Sequence, residues 1–205
     1  MNLPRRTYHF LFCIIFSGLV LLPSEAKQQE KKDSSSLDTS RSGGVYRFPL
    51  MGNPSSLDPH YIKDQFGVAV VQQIFDGLVQ FGPYLMVRPA LAETWQLENQ
   101  GKTYRFTLRR DAQFHTGQPV TVEDVVFSIR RLLRVDPPPD IIPHLLKIRG
   151  AQDYKKHKSD RIEGLQPINN HVLLIKLEEP HTPFLTALGM YQAKIIPKAE
   201  ATRLG

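Results

Sequence analysis

The chain has 205 residues, of which 41% are hydrophobic, 22% charged and 9% aromatic, and this ordinary composition excludes a disordered polyampholyte and a fibrous repeat. The 26 Lys and Arg against 20 Asp and Glu give a net charge of +6, but the basic residues are scattered, which favours a general charged surface over a nucleic-acid groove. The single cysteine, Cys13, excludes an intramolecular disulfide and a thiolate-rich structural metal site.

The start of the chain has the pattern of a secretory signal peptide. Arg5 and Arg6 supply a basic beginning, residues 10–22 are apolar, and Ser24-Glu25-Ala26 has the small-x-small pattern of a cleavage site. The apolar run is shorter than the roughly 20 residues that a membrane-spanning helix requires. We therefore expect residues 1–26 to be a cleavable signal peptide rather than an uncleaved anchor, and the protein to be exported to the periplasm or the exterior.

A polar linker follows the signal peptide. Residues 27–44 contain one apolar side chain, Leu37, and cannot offset the entropy of ordering by burial, so we expect a flexible tether. Apolar and polar residues alternate over residues 45–48, which predicts a strand near a sheet edge. A loop over residues 52–59 follows.

The pattern from Asp64 onward predicts the first helix. Its apolar residues recur at helical spacing, and Asp64 is placed to cap the first turn. Phe81-Gly82-Pro83 then breaks the helical pattern. The spaced apolar positions are Phe66, Val70, Val71, Ile74, Phe75 and Leu78.

A β-hairpin is predicted next, with strands over residues 93–97 and 103–109 around the turn Asn99-Gln100-Gly101. In the second strand Tyr104, Phe106 and Leu108 alternate with polar residues. We expect that apolar face to be covered and the opposite face to be wet.

The second half begins with a capping signal, Thr121 followed three residues later by Asp124, which predicts a helix that runs to Leu133 and is ended by the prolines at 137–139. The later predictions are a partly helical stretch over residues 141–158, a strand over 172–177, a short helix opened by Thr182-Pro183, a short strand at Ile195-Ile196 and a last helical turn over 198–204.

Several motifs in this order resemble the family 5 extracellular solute-binding proteins, the peptide, dipeptide and nickel receptors of ABC importers. The resemblance covers residues 45–205. The matching motifs are Leu57-Asp58-Pro59-His60, Ile74-Phe75-Asp76-Gly77-Leu78, Leu91-Ala92-Glu93-Thr94-Trp95, residues 101–109, residues 114–125, Ile162-Glu163-Gly164-Leu165, Glu178-Glu179-Pro180 and Ile196-Pro197-Lys198.

The resemblance implies an α/β fold of the α+β mixed kind, a lobe like that of type II periplasmic binding proteins, with a mixed sheet and flanking helices. Family members are more than twice as long and close two lobes on a ligand, so the lobe is expected to be truncated. By analogy, residues 45–80 would open the first lobe, 81–194 would form a compact subdomain of it, and 195–205 would begin the return to it. The strand edges at 45–50 and 195–196 would then be unpaired.

The resemblance also implies the ligand site. In the family, the segment after the Leu-Asp-Pro-His motif lies at the cleft, which points to Lys63, Asp64 and Gln65 as ligand-binding residues. The alternative is that Asp64 only caps a helix, since aspartate is strongly favoured there, and that Lys63 is a solvated loop charge.

The remaining chemistry-bearing residues carry no catalytic or metal signature. The histidines lack metal-site spacing and are expected at surfaces or turns, the carboxylates form no acid and base pair, and the serines lack a nucleophile elbow. The run Lys155-Lys156-His157-Lys158 suggests a solvated helix end rather than a nucleic-acid reader. We expect no cofactor, no metal and no enzymatic activity. The histidines outside the predicted signal peptide are His60, His115, His144, His157, His171 and His181, and the carboxylates considered as acid and base are Asp58, Glu93, Asp111, Glu123 and Asp124.

The function that the resemblance implies is the solute-binding component of an ABC importer, with peptides or oligopeptides as ligands. The partners would be the permease, contacted directly, and the ATPase subunits, with no nucleic acid and with the membrane reached only through the permease. The alternative is a stand-alone secreted interaction module that retains one subdomain. A secreted hydrolase is disfavoured because no nucleophile and base can be placed.

Overall fold

The computed structural model describes Val45 and residues 47–204, so the predicted signal peptide and linker lie outside the described residues. From Phe48 onward the chain forms one compact unit. The elements are α1 (Gln65–Ile74), β1 (Val79–Phe81), β2 (Val87–Pro89), β3 (Ala92–Glu98), β4 (Thr103–Leu108), α2 (Val122–Leu133), α3 (Ile142–Leu145), α4 (Ala151–Lys155), β5 (Leu165–Asn169), β6 (Val172–Lys176), α5 (Phe184–Ala187) and α6 (Lys198–Leu204).

Helix α1 starts where the capping signal predicts, and it ends one turn early. Phe75 is extended and donates its backbone N–H to Val71, so the helix stops at Ile74 although the apolar spacing continues to Leu78. Leu78 is buried in the extended segment that follows. The apolar spacing therefore reports burial correctly and the end of the helix incorrectly.

Gly77, just after α1, allows two segments of backbone to approach closely. It pairs with Lys194 in an isolated antiparallel bridge. A Cβ at Gly77 would lie 3.1 to 3.3 Å from three backbone carbonyl oxygens, so glycine is required for the close approach. The bridge joins the end of the α1 region to the far end of the chain.

The main sheet has four strands in the order β3-β4-β6-β5, and every pairing in it is antiparallel. A separate antiparallel ladder joins β1 and β2. The expected mixture of helix and sheet is confirmed. The resemblance implied a mixed sheet, with both parallel and antiparallel pairs. Within the described residues every strand pair is antiparallel, so this detail of the prediction is wrong.

The core lies between the main sheet and α2. As predicted, Tyr104, Phe106 and Leu108 on β4 are buried, and Leu173 and Ile175 on β6 are buried beside them. Helix α2 supplies the opposing layer through its apolar stripe, Val122, Val125, Ile129, Leu132 and Leu133. The predicted hairpin and the predicted α2 are both confirmed.

The segment before α6 is fixed to α2 by two side chains rather than by strand pairing. Ser128 Oγ donates to the Asp124 carbonyl at 2.8 Å and accepts from Ile196 N at 3.0 Å. Asp124 Oδ1 accepts from Lys198 N at 2.9 Å, and its Oδ2 accepts from Thr121 N at 2.9 Å. The N-terminus of α2 therefore holds the start of α6.

Two strand predictions are wrong. Ile195 and Ile196 are not in a strand, and they are buried with both N–H groups bonded, to the Asp76 carbonyl and to Ser128, so they present no unpaired edge. The described residues of the 45–50 segment also lie outside any strand. Apolar β-branched residues satisfy a burial requirement here, without a partner strand. Across the described residues, no helix has the length and apolar character needed to cross a bilayer.

Candidate functional site

The loop that leads to the predicted site is anchored by an ion pair with α2. Arg131 donates from Nη1 to Asp58 Oδ1 at 3.0 Å and from Nη2 to Asp58 Oδ2 at 2.6 Å. Burial raises the pKa of Asp58, but the bonds from Arg131 and from His60 N outweigh it and leave that pKa below its ordinary value. Both charges are about one-third exposed, and the two-pronged geometry gives the loop a defined position.

His60 completes this anchor and corrects a prediction, because it is buried rather than at the surface, with 2% of its area exposed. Its Nδ1 lies 2.9 Å from Arg131 Nη1, and since a guanidinium can only donate, Nδ1 is the acceptor. The Nε2–H therefore donates to the Lys194 carbonyl at 3.2 Å. Burial, together with the charge of Arg131, lowers the pKa of His60 to about 4, so the ring is neutral at neutral pH.

A cavity of about 210 Å³ opens beside this anchor, and we call it the Lys63 cavity. Three separate segments form it: the loop after Pro59, the proline-rich loop after α2, and the turn after α5. Its wall combines aromatic rings, proline rings, one ammonium and one carboxylate. The lining residues are His60, Tyr61, Ile62, Lys63, Val135, Pro137, Pro138, Pro139, Asp140, Tyr191 and Gln192.

Gln192 lines the Lys63 cavity and has a buried side-chain oxygen without a hydrogen-bond partner among the described residues. The side chain is 2% exposed, and the unbonded atom is Oε1. Buried amide oxygens are nearly always bonded, and leaving one unbonded costs about 1 to 3 kcal/mol. This oxygen is enclosed by protein atoms, so Gln192 lines the cavity without exposing its Oε1.

The structure brings one of the three predicted site residues to the cavity. Lys63 is exposed and lines it, whereas Asp64 and Gln65 are not among its lining residues. Asp64 caps α1: it accepts from Gly67 N at 2.8 Å, from Ser55 N at 3.0 Å and from Ser55 Oγ. These bonds lower the pKa of Asp64 to about 2. The capping interpretation is confirmed, and ligand contact by Lys63, Asp64 and Gln65 remains a prediction.

Sequence reasoning missed most of the Lys63 cavity. Tyr61, Asp140, Tyr191 and Gln192 were not singled out, and the prolines at 137–139 were interpreted only as the end of a helix. The proline run was the one available signal, because consecutive prolines form a stiff, apolar loop wall. Tyr191 and Gln192 carry no local signal, since tertiary packing alone places them here.

The other chemistry-bearing groups stand apart from this cavity. His144 Nδ1 and His181 Nε2 lie 2.8 Å apart, and Arg134 Nη1 lies 2.6 Å from His157 Nδ1. In the part of the chain that the structure describes, no group of three or more His, Cys, Asp or Glu is placed to hold a metal ion. The chemical groups of the Lys63 cavity wall are the Lys63 ammonium, the Asp140 carboxylate and the aromatic and proline rings.

Comparison with known proteins decides the family. Residues 86–204 match the model of the bacterial extracellular solute-binding proteins, family 5 Middle. The chain belongs to this family. Its architecture is that of a type II periplasmic-binding-protein lobe, as the resemblance implied.

Two relatives are named as periplasmic binding proteins. The chain is 31% identical to the probable deoxycholate-binding periplasmic protein YgiS of Escherichia coli, over 71% of this chain and 28% of that protein. It is 30% identical to the periplasmic oligopeptide-binding protein OppA of Haemophilus influenzae, over 74% of this chain and 29% of that protein. The crystal structure of H. influenzae OppA with the peptide RPPGFSPFR superposes with a TM-score of 0.68 at 28% identity, covering 74% of this chain and 30% of that one. The chain thus spans under one-third of the length of these relatives.

Proposed function

We propose that this chain belongs to an exported receptor that binds peptides for an ABC importer. The observation that carries the proposal is the Lys63 cavity, which joins an ammonium and a carboxylate to aromatic and proline walls. Peptides present a carboxylate and an ammonium on an apolar frame, so the charged groups and the walls of the cavity have matching partners. The oligopeptide-binding relatives support the same ligand class.

The proposed site includes the three residues of the loop after His60. Lys63 would contact a ligand carboxylate or carbonyl, and Asp64 and Gln65 would act from the neighbouring start of α1. The Asp58–Arg131–His60 anchor holds this loop in place. Binding energy would then shift an open two-lobed receptor towards a closed one. The ATP that drives import would be consumed by the ATPase subunits of the importer.

The proposed setting is the periplasm or the exterior, after removal of a signal peptide over residues 1–26. The permease would be the direct partner and the membrane would be reached only through it. The names of the relatives, which are periplasmic and transporter proteins, support this setting. Neither the family match nor the relatives support the alternative of a stand-alone interaction module.

We further propose that residues 81–194 form a compact subdomain, with 45–80 as the opening part of the lobe and 195–205 as the start of its return. Limited proteolysis that leaves a fragment near residues 81–194 would support these boundaries. A resistant fragment that retains Asp58 together with α2 would contradict them.

Titration calorimetry of the chain with tri-alanine tests the proposed function. Because the chain contributes part of a cleft, we expect saturable binding with a Kd of about 0.1 to 1 mM, weakened at least about fivefold by Lys63→Ala. Lys158→Ala, which removes an exposed lysine outside the cavity, is the control and should leave the Kd unchanged. Absence of binding at about 10 mM peptide would contradict peptide recognition by this cavity. Binding of deoxycholate in place of tri-alanine would assign the ligand class of the YgiS relative instead.

A further inference from the structure

A second cavity, of about 270 Å³, shares Tyr191 with the Lys63 cavity, and we call it the Lys194 cavity. Tyr191 lines both cavities, so the two adjoin. Its lining residues are Gln72, Gln80, Phe81, Gly189, Met190, Tyr191 and Lys194.

Lys194 is an unusual wall residue because it is buried, with 7% of its area exposed. Among the described residues, its ammonium makes no hydrogen bond and no ion pair, whereas its backbone carbonyl bonds to His60. Since the ammonium has no partner in the described part of the chain and is not fully enclosed, it stays open to water or to a ligand. Partial burial lowers the pKa of the Lys194 ammonium.

One carboxylate lies near enough to affect Lys194 without neutralising it. Asp76 raises the pKa of Lys194 through its charge, but no ion pair within 4.0 Å forms between them. Asp76 is exposed, and its backbone carbonyl accepts from Ile195 N at 2.8 Å independently of its side chain. The Lys194 ammonium can therefore still form an ion pair with an anion that approaches more closely than Asp76.

The rest of the Lys194 cavity suits an apolar group with polar edges. Phe81, Met190 and Tyr191 supply an apolar wall. Gln80 donates from Nε2 to the Pro89 carbonyl at 3.1 Å, which fixes one amide at the rim, and Gln72 supplies another. Both amides can donate to an anion that approaches Lys194.

We propose that the Lys194 cavity is a binding subsite for a carboxylate attached to an apolar or aromatic group. The carboxylate pairs with the Lys194 ammonium, where the low dielectric strengthens the attraction, and the apolar group lies against Phe81 and Met190. The subsite adjoins the Lys63 cavity but does not require that peptides bind there.

Benzoate is the probe that tests the subsite, with benzamide as its uncharged match. We expect benzoate to bind the full chain saturably, with a Kd of about 1 to 10 mM followed by NMR chemical shifts, and benzamide to bind at least about tenfold more weakly. Lys194→Met, which keeps the length of the side chain and removes the charge, should weaken benzoate at least tenfold. Lys158→Met is the matched control, since it removes an exposed cation that lines neither cavity, and should leave the Kd unchanged.

Asp76→Asn gives an independent test that does not alter Lys194. With the competing carboxylate removed, benzoate should bind more tightly, by about two- to threefold. The proposal is overturned if benzoate does not saturate below about 50 mM, if benzamide binds equally well, or if neither Lys194→Met nor Asp76→Asn changes the Kd. Because tri-alanine is titrated separately, loss of the benzoate subsite and loss of peptide binding are distinguishable.

Discussion

Arg131 donates hydrogen bonds to both carboxylate oxygens of Asp58, at 3.0 and 2.6 Å, although the two residues are 73 positions apart in the sequence. Through the same guanidinium it bonds His60, whose other nitrogen reaches the Lys194 carbonyl. One side chain on α2 thus joins the loop beside the Lys63 cavity to the strand-like segment beside the Lys194 cavity.

Replacing Arg131 should destabilise the fold. Arg131→Met leaves Asp58 and His60 without their donor, and because the pair is partly exposed we expect a loss of about 1 to 3 kcal/mol in the free energy of unfolding. Urea denaturation measures it. Arg110→Met, at an exposed arginine, is the control and should change stability by no more than about 0.5 kcal/mol. Equal effects of the two substitutions would contradict the anchoring role.

Stability should fall as the pH drops below neutrality. The folded-state pKa of His60, about 4, is below the ordinary 6.5, so between these values the unfolded chain binds a proton that the folded chain does not. The contribution is present above pH 6.5, is lost progressively towards pH 4, and is on the order of 3 kcal/mol. Denaturation at a series of pH values should show this slope, and His60→Gln should flatten it. An unchanged slope in that variant would assign the acid sensitivity to other groups.

Lys194→Met should raise the midpoint of thermal unfolding. The substitution removes a partly desolvated charge, whose pKa burial lowers, and retains the apolar stem, and we expect a gain of about 1 kcal/mol. Calorimetry compares it with Lys63→Met, where an exposed lysine is lost and little change is expected. A destabilised Lys194→Met protein would show that the ammonium is already satisfied in the folded state.

Phe106 on β4 is fully buried in the core. Phe106→Ala should cost about 3 to 5 kcal/mol through lost burial and the cavity left behind. Tyr84→Ala removes an aromatic ring that is 96% exposed, and should cost less than about 0.5 kcal/mol. Comparable losses in the two variants, measured by urea denaturation, would be incompatible with this core.

Local signals in the sequence predicted local structure well. The caps at Asp64 and Thr121 and the alternation around Phe106 each involve residues within a few positions of one another, so they can be interpreted without knowing the fold. The family resemblance then supplied the architecture.

Contacts across long stretches of sequence account for what could not be predicted. Ile195-Ile196 has the composition of a strand, but its N–H groups bond to Asp76 and to Ser128, which no local pattern reveals. His60 gave no sign of burial because its partners are on α2 and beyond α5. For the same reason Gln192, the unbonded amide of the Lys63 cavity, could not be found from the sequence.

Tyr191 lines both the Lys63 cavity and the Lys194 cavity. A ligand in one cavity that reoriented this side chain would change the volume of the other, so a single side chain would couple the two sites. By thermodynamic reciprocity, each ligand would then change the affinity of the other by the same factor.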